Sequence, residues 1–471
     1  MSATFVNEPS RDARKWWRVA DVLCWAVIAY LTWFSWHFSA ERIHGDASYF
    51  LLNIVDQGSF FVNQGRWIMP LTQWMVVAGV KAGLPMTELI RLYSLGPTVL
   101  LFAVFLFVRY VLHDRAAGVA VVATQVMGLA HALFCPVFEF YAGGLLFVAC
   151  LALHQNRSMS SGWRLSLFGI LLFLTLSSHF LAMLVVLMTF FTIRLWRDRS
   201  FTVVAALVFV GQAVIRVAVL SDYEANALGS FIIRAERLGW LWVFHPGRLY
   251  SHGLQGLVDH FDVIMIGGVA LASLVHDRNW REAGLFSGGI LLLYILFSLY
   301  FPDGTHTIYR EIVDHPYAIW VIVITYALVA RTPHPGIAWG YVLFVALVLR
   351  LQAPWWIAGT YTERVEWMRE RIQAAHTQGI ERGLVLDLPT FKPPGRGAGP
   401  IAALNPMEVI LLSAESGADS TVVLFPIPPE VNEEAFVNAL EGKLEADHIP
   451  IIWRSASPYF RVEEAPFRVL H

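Results

Sequence analysis

A short acidic motif follows the first long apolar segment of the sequence. It spans residues 44–49, HGDASY, within the polar and aromatic stretch 41–74. An ionised carboxylate this close to hydrocarbon is expensive unless it has a function or a partner. Asp46 is therefore the first candidate for a general base, which must stay ionised near neutral pH and accept a proton. The alternative interpretation is that Asp46 caps the N-terminus of a helix.

Further titratable or hydrogen-bonding side chains lie at the predicted ends of apolar segments. One turn after Asp46, Tyr49 is expected on the same helical face. The guanidinium of Arg310 offers a fork that suits a phosphate, or it anchors at the interface. We consider these residues together as candidates for substrate binding: His44, Tyr49, Arg66, Glu139, His179, His306, Tyr309 and Arg310.

Each of these candidates also has an alternative explanation. Glu139 suits a sugar hydroxyl, a metal or a partner arginine, but it could equally be an ordinary boundary ion pair. His179 is suited to hydrogen-bond a phosphate or a sugar, or it is simply a satisfied polar residue in a hairpin. Arg66 is expected to meet a lipid phosphate or to extend its charge to the interface.

The composition predicts a membrane protein. The chain has 471 residues, of which 56% are hydrophobic and only 15% charged, against roughly 25% charged in soluble domains. Its mean hydropathy is +0.55, and apolar runs of about 18 residues recur. A net charge of −2 gives no basic field for nucleic acid. The three cysteines lie in apolar stretches and suggest neither a disulfide framework nor a zinc site.

Basic residues cluster on alternate connections, which sets the expected topology. Arg11, Arg14, Lys15 and Arg18 precede the first span and place the N-terminus in the cytoplasm. The predicted topology has about eleven spans, with the N-terminus inside and the C-terminus outside. The expected spans are about 19–38, 93–111, 116–134, 141–153, 165–176, 180–193, 201–220, 263–275, 285–300, 317–330 and 337–356.

Two regions are expected outside the spans on the outer face. The first outer loop, residues 39–92, is predicted to hold two short amphipathic helices on the membrane, with Trp67 and Trp74 as interfacial anchors. From about residue 358 the composition changes, and a small α+β outer domain is predicted, with strands near residues 383–387 and 421–425. The chain thus divides into a transmembrane domain, 1–357, and an extracytoplasmic domain, 358–471.

This layout resembles the GT-C superfamily of integral-membrane glycosyltransferases, which includes the protein O-mannosyltransferases. In that family an aspartate lies in the first outer loop, just after the first span, and Asp46 matches it. A later outer loop supplies groups for the lipid phosphate, and residues 305–310 match it. The resemblance covers the whole chain in architecture, but specific residues match only around Asp46. The sequence has one acid there, whereas the mannosyltransferases have an Asp-Glu pair.

The resemblance implies a function at the outer face of the cytoplasmic membrane. The donor would be a polyprenyl-phosphate sugar, the acceptor a lipid, glycan or protein, and transfer would invert the anomeric centre. Asp46 would activate the acceptor, while Arg310 and His306 stabilise the departing phosphate. No metal ligand set is assigned, and a divalent metal requirement stays open. The alternatives are a transporter or flippase of a lipid-linked glycan and a non-catalytic subunit of an envelope complex.

Overall fold

The computed structural model describes most of the chain. The residues it describes are 11–137, 139–156, 158–219, 222–249, 259–300, 307–329, 337–386, 388–394, 399–427, 436, 457–461 and 465–470.

Helices dominate the described residues. In chain order they are α1 (Arg11–His37), α2 (Asp46–Gln57), α3 (Pro70–Lys81), α4 (Met86–Leu106), α5 (Arg115–Thr124), α6 (Glu139–Gln155), α7 (Ser161–Ser178), α8 (Phe180–Thr192), α9 (Arg199–Ala218), α10 (Asp222–Leu238), α11 (Phe261–His276), α12 (Trp280–Tyr300), α13 (Thr307–Ile324), α14 (Ile337–Gln378) and α15 (Pro406–Ser413).

Six helices in the described part of the chain are long and apolar enough to cross a membrane. They are Trp17–His37, Met86–Val111, Ser161–Ser178, Arg199–Ala218, Trp280–Leu299 and Tyr341–Gln378. Shorter apolar helices accompany them at Arg115–Thr124, Phe140–Gln155, Phe180–Thr192 and Phe261–His276. The protein therefore has the architecture of a helical membrane protein, as its composition predicts. The count of about eleven spans stays a prediction.

Ion pairs join helices that are far apart in the sequence. Asp21 of α1 accepts from Arg109, just after α4, with 2.6 Å between Oδ2 and Nη2. Arg194, just after α8, pairs with Glu282 at the start of α12 at 2.7 Å. At the C-terminal end of α9, Arg216 donates to the Ser177 carbonyl at the end of α7 and to the Gln64 carbonyl in the loop after α2.

The third predicted span, 116–134, is interrupted in the structure. Helix α5 ends at Thr124, and a buried non-helical stretch leads into the 3-10 helix His131–Phe134. The Asp262 carboxylate accepts from the Gly128 amide at 2.9 Å, and Glu311 accepts from Ala130 and Ala132 at 2.7 and 2.8 Å. Because side chains replace the helical hydrogen bonds, the backbone can leave the helix inside the protein.

Residues 39–92 contain the two predicted short helices, α2 and α3, of 12 residues each. Trp67 and Trp74 are exposed, as expected of interfacial anchors. Helix α4 begins at Met86 rather than near residue 93, because Pro85 ends the preceding turn and suits a position before a helix. The long connection between the predicted spans 201–220 and 263–275 carries α10 in its described part.

The C-terminal region combines a long helix with a small sheet. Helix α14 runs for 42 residues and passes continuously through the predicted boundary at 357/358, with Pro354 inside it. Strands β1 (Arg382–Val385), β2 (Val423–Pro426) and β3 (Arg468–Leu470) form a parallel sheet in the order β2-β1-β3. Gly383 pairs with Leu424 on one side and with Arg468 on the other. The predicted strands near 383–387 and 421–425 correspond to β1 and β2.

Candidate functional site

Asp46 is the first residue of α2 and follows a tight turn. The 3-10 helix Glu41–Ile43 leads into Gly45, whose backbone has φ 61° and ψ −128°. An L-residue is strained in this conformation, so a glycine is required there. Gly45, not Asp46, occupies the N-cap position, and no side-chain hydrogen bond caps the helix. The capping interpretation of Asp46 is therefore wrong. The Asp46 side chain is exposed and accessible to a reactant.

The surroundings of Asp46 favour a proton acceptor. Burial by neighbouring atoms raises the pKa of the carboxyl, although water still reaches the side chain. The charge of Arg66 and the ring of His44 lower the same pKa and so oppose burial. A partly desolvated carboxylate is a stronger base than a carboxylate in open water.

Arg66 lies near Asp46, and Arg66 together with Arg216 lies near His179. Arg216, in the last turn of α9, donates to the Gln64 carbonyl at 3.3 Å and to the Ser177 carbonyl at 3.0 Å. It thereby links the turn before Arg66 to the end of α7. Arg66 is half-buried and lies near enough to influence the pKa of both Asp46 and His179. We call Asp46, Arg66, His179 and Arg216 the cleft.

His179 forms the corner between α7 and α8. Its Nδ1 accepts from the Leu181 amide at 3.2 Å and caps α8. Burial, together with the charges of Arg66 and Arg216, lowers the pKa of His179 to about 3. The ring is therefore neutral near pH 7 with its proton on Nε2. That N–H, together with the two guanidinium groups, suits an anion such as a phosphate.

His44 is buried behind the turn and contacts the C-terminal region. Its Nδ1 lies 3.1 Å from Oε1 of Glu408, and the Gly45 amide donates to the same oxygen at 3.0 Å. Arg364 pairs with Oε2 of Glu408 at 2.7 Å, and both side chains are fully buried. Burial raises the pKa of Glu408, but Arg364 and His44 outweigh it and hold the value at about 2. Burial and Arg364 lower the pKa of His44, and the neighbouring Glu408 carboxylate opposes them.

Of the five remaining predicted residues, only Tyr49 has a side chain that the structure describes. Tyr49 is half-buried and its ring meets Phe50 and Phe61 edge-on, so it borders the turn. His306 and the side chains of Glu139, Tyr309 and Arg310 lie outside the described residues. The backbone of Glu139 begins α6, while Tyr309 and Arg310 lie in the first turn of α13.

The first turn of α13 lies beside the same interrupted segment as the Asp46 turn. Glu311, next to Arg310, accepts from Ala130 and Ala132. Further along this segment, the Cys135 thiol faces the backbone of Ala47. The start of α13 and Asp46 are therefore both neighbours of residues 130–135.

Sequence reasoning missed three residues of this region. Arg216 stood out as a charge within an apolar segment, but nothing local indicated which loop it contacts. Glu408 lies in a short apolar helix, PMEVILLS, and Arg364 lies in a charged helical stretch. A lone acid in an apolar helix was the available signal, because such a carboxylate needs a buried partner.

The described residues contain no group of three or more His, Cys, Asp or Glu side chains that could hold a metal ion. The cleft therefore offers an acid, two guanidinium groups and an imidazole N–H as its chemical groups. Comparison with known proteins adds no family: the chain matches no family model, no curated protein and no solved structure.

Proposed function

We propose that the protein is a membrane glycosyltransferase that moves a sugar from a polyprenyl-phosphate donor to a lipid, glycan or protein acceptor. The observation that carries the proposal is the cleft: an exposed acid with a raised pKa lies near Arg66, and Arg66 and Arg216 lie near a neutral histidine. A base next to an anion-binding group is what transfer from a phosphate leaving group requires. In this proposal the cleft faces the outer side of the cytoplasmic membrane, with the C-terminal region also outside.

The proposed reaction assigns one role to each group. Asp46 takes the proton of the acceptor hydroxyl as its oxygen bonds to the anomeric carbon of the sugar. The bond between that carbon and the phosphate oxygen breaks, and its electron pair leaves with the polyprenyl phosphate. Arg66 and Arg216 stabilise the phosphate charge, and Nε2–H of His179 donates to it. Arg310 and His306 remain predicted contributors to the same phosphate, with His44 and Tyr49 bordering the acceptor side.

The test is an acid-to-amide exchange with a matched control. Cells lacking the protein are complemented with wild type, Asp46→Asn or Asp56→Asn, and envelope glycans are measured by mass spectrometry. Asp56 is a half-buried acid in the same helix. Loss of a general base typically lowers the rate about 10²–10⁴-fold. We expect wild type and Asp56→Asn to restore the sugar, and Asp46→Asn to fold but not restore it. Restoration by Asp46→Asn would contradict the proposal.

One observation favours the transporter alternative. Helix α5 breaks at Thr124, and the following backbone is held by acids of α11 and α13. Interrupted helices of this kind occur in transporters, where they form the substrate site. In that case Asp46→Asn would leave sugar attachment intact. The completed glycan would instead fail to reach the outer surface, which surface labelling of intact cells would detect.

A further inference from the structure

We propose that Glu408 is a positioning residue for Asp46, so that the C-terminal region completes the site rather than only following it. This inference rests on the proposed function only in taking Asp46 as the reacting acid. The contact itself joins residues far apart in the sequence: one carboxylate oxygen of Glu408 receives both the Gly45 amide and His44 Nδ1, at 3.0 and 3.1 Å.

The geometry of the turn explains why an acceptor is needed there. Gly45 has a positive φ, and its amide is the last donor before α2 begins with Asp46. A buried amide without an acceptor is unfavourable, and a turn that lost this bond would be free to adopt other conformations. Fixing the amide of Gly45 therefore fixes the direction in which Asp46 leaves the turn.

Other contacts show that the C-terminal region holds both flanks of the turn. Thr362 Oγ1 donates to Glu41 Oε1 at 3.0 Å, before the turn. Asn405 Nδ2 lies 3.4 Å from Ser48 Oγ, after it. Glu408 contacts the centre. These three contacts, from α14 and from the start of α15, hold residues 41–48, the segment that contains Asp46.

The buried ion pair of Glu408 and Arg364 determines which variants can test the inference. Glu408 is ionised and fully buried, and Arg364 is its cationic partner at 2.7 Å. Removing the acid alone would leave Arg364 buried without this carboxylate and would destabilise the fold, whatever Glu408 does for Asp46. Both charges must therefore be removed together, so that positioning is separated from stability.

The experiment compares two double variants, Arg364→Met/Glu408→Gln and Arg364→Met/Glu408→Leu. Both lack the buried charges. The amide oxygen introduced by Glu408→Gln can still accept from Gly45 and His44, whereas Glu408→Leu offers no acceptor. We expect similar melting temperatures for the two double variants and a drop of roughly 5–10 °C for Glu408→Leu alone. Arg364→Lys, which keeps a cation, serves as a conservative control.

The readout is the titration of Asp46 in the full-length protein in detergent. A carbodiimide modifies protonated carboxyl groups, and peptide mass spectrometry measures the modified fraction against pH. Asp46 and Asp56 lie on the same tryptic peptide, 43–66, so Asp56 is an internal reference. The titratable groups facing Asp46 are Arg66, His44 and Cys135, and all three stay in place in every variant.

The expected result is a change at Asp46 alone. In Arg364→Met/Glu408→Leu the released turn moves Asp46 away from the neighbouring atoms that partly desolvate it. The pKa of its carboxyl then falls, so its midpoint moves to lower pH. In Arg364→Met/Glu408→Gln and Arg364→Lys it stays at the wild-type value. Equal Asp46 midpoints in the two double variants would overturn the inference, whether or not their melting temperatures differ. The titration needs no sugar donor, so it stands or falls separately from glycosyl transfer.

Discussion

Two regions of the molecule combine acids with arginines, yet they differ in how their oxygens are used. One is the cleft. The other, which we call the buried clamp, consists of Asp262, Glu311 and Arg350 beneath residues 125–134. In the buried clamp, Asp262 Oδ2 accepts from Gly128 and Oδ1 pairs with Arg350, while Glu311 receives two backbone amides. These carboxylates replace the hydrogen bonds of an interrupted helix.

The cleft uses its groups differently. Asp46 is exposed, and its pKa is set by burial and by the neighbouring Arg66 and His44. An acid in or near an apolar segment is therefore not in itself evidence of a catalytic role. A carboxylate committed to backbone amides stabilises a fold, whereas one that water can reach is available to a substrate.

The largest expected difference between the two regions is in stability. Asp262→Ala would leave the Arg350 guanidinium without this carboxylate and the Gly128 amide without its acceptor. We expect unfolding in detergent to become easier by about 3–5 kcal/mol, as for other broken buried ion pairs. Thermal and denaturant unfolding measure the change.

The control for this prediction is Asp419→Ala, which removes an exposed partner of Arg461. Its stability should stay close to wild type, because exposed ion pairs contribute little. If Asp262→Ala were as stable as Asp419→Ala, the buried clamp would not hold the interrupted segment, and the contrast with the cleft would disappear.

Local sequence patterns predicted much of the helical framework. The polar corner at Ser177–His179 between two apolar segments, and the basic residues after α8, correctly placed α7 and α8. The strands β1 and β2 followed from short apolar runs bounded by turn residues. In each case the signal lies within a few residues of the element that it predicts.

The interruption of α5 and the full cleft could not be predicted in this way. Residues 116–134 are apolar enough for a span, and the acids that stabilise the break come from α11 and α13, far along the chain. Arg216 and Glu408 likewise occur in apolar helices with no local indication of their partners. Tertiary contacts decide these features, and the sequence shows only that the charges need partners.

A smaller loss of stability is expected from backbone strain at Gly45, next to Asp46. Gly45→Ala adds a methyl group that meets no atom within 4 Å, so its effect comes from the positive φ alone. Such strain costs of order 1–3 kcal/mol. Gly162→Ala is the matched control, because that site in α7 is equally open and its φ is helical. Thermal unfolding should show a loss for Gly45→Ala only, and equal melting temperatures would mean that the turn adapts freely.

The smallest and most specific effect is electrostatic. The Arg66 charge lowers the pKa of Asp46, so Arg66→Gln should raise that pKa and move the carbodiimide midpoint of Asp46 to higher pH. If Asp46 must be ionised to act, the acidic limb of the pH profile of the transfer rate should move in the same direction.

The control is Arg461→Gln, at an exposed ion pair, which should move neither the Asp46 midpoint nor the pH profile. An unchanged Asp46 midpoint in Arg66→Gln would show that the charge of Arg66 does not act on Asp46. The arginines and His179 would then not belong to the same site as the acid.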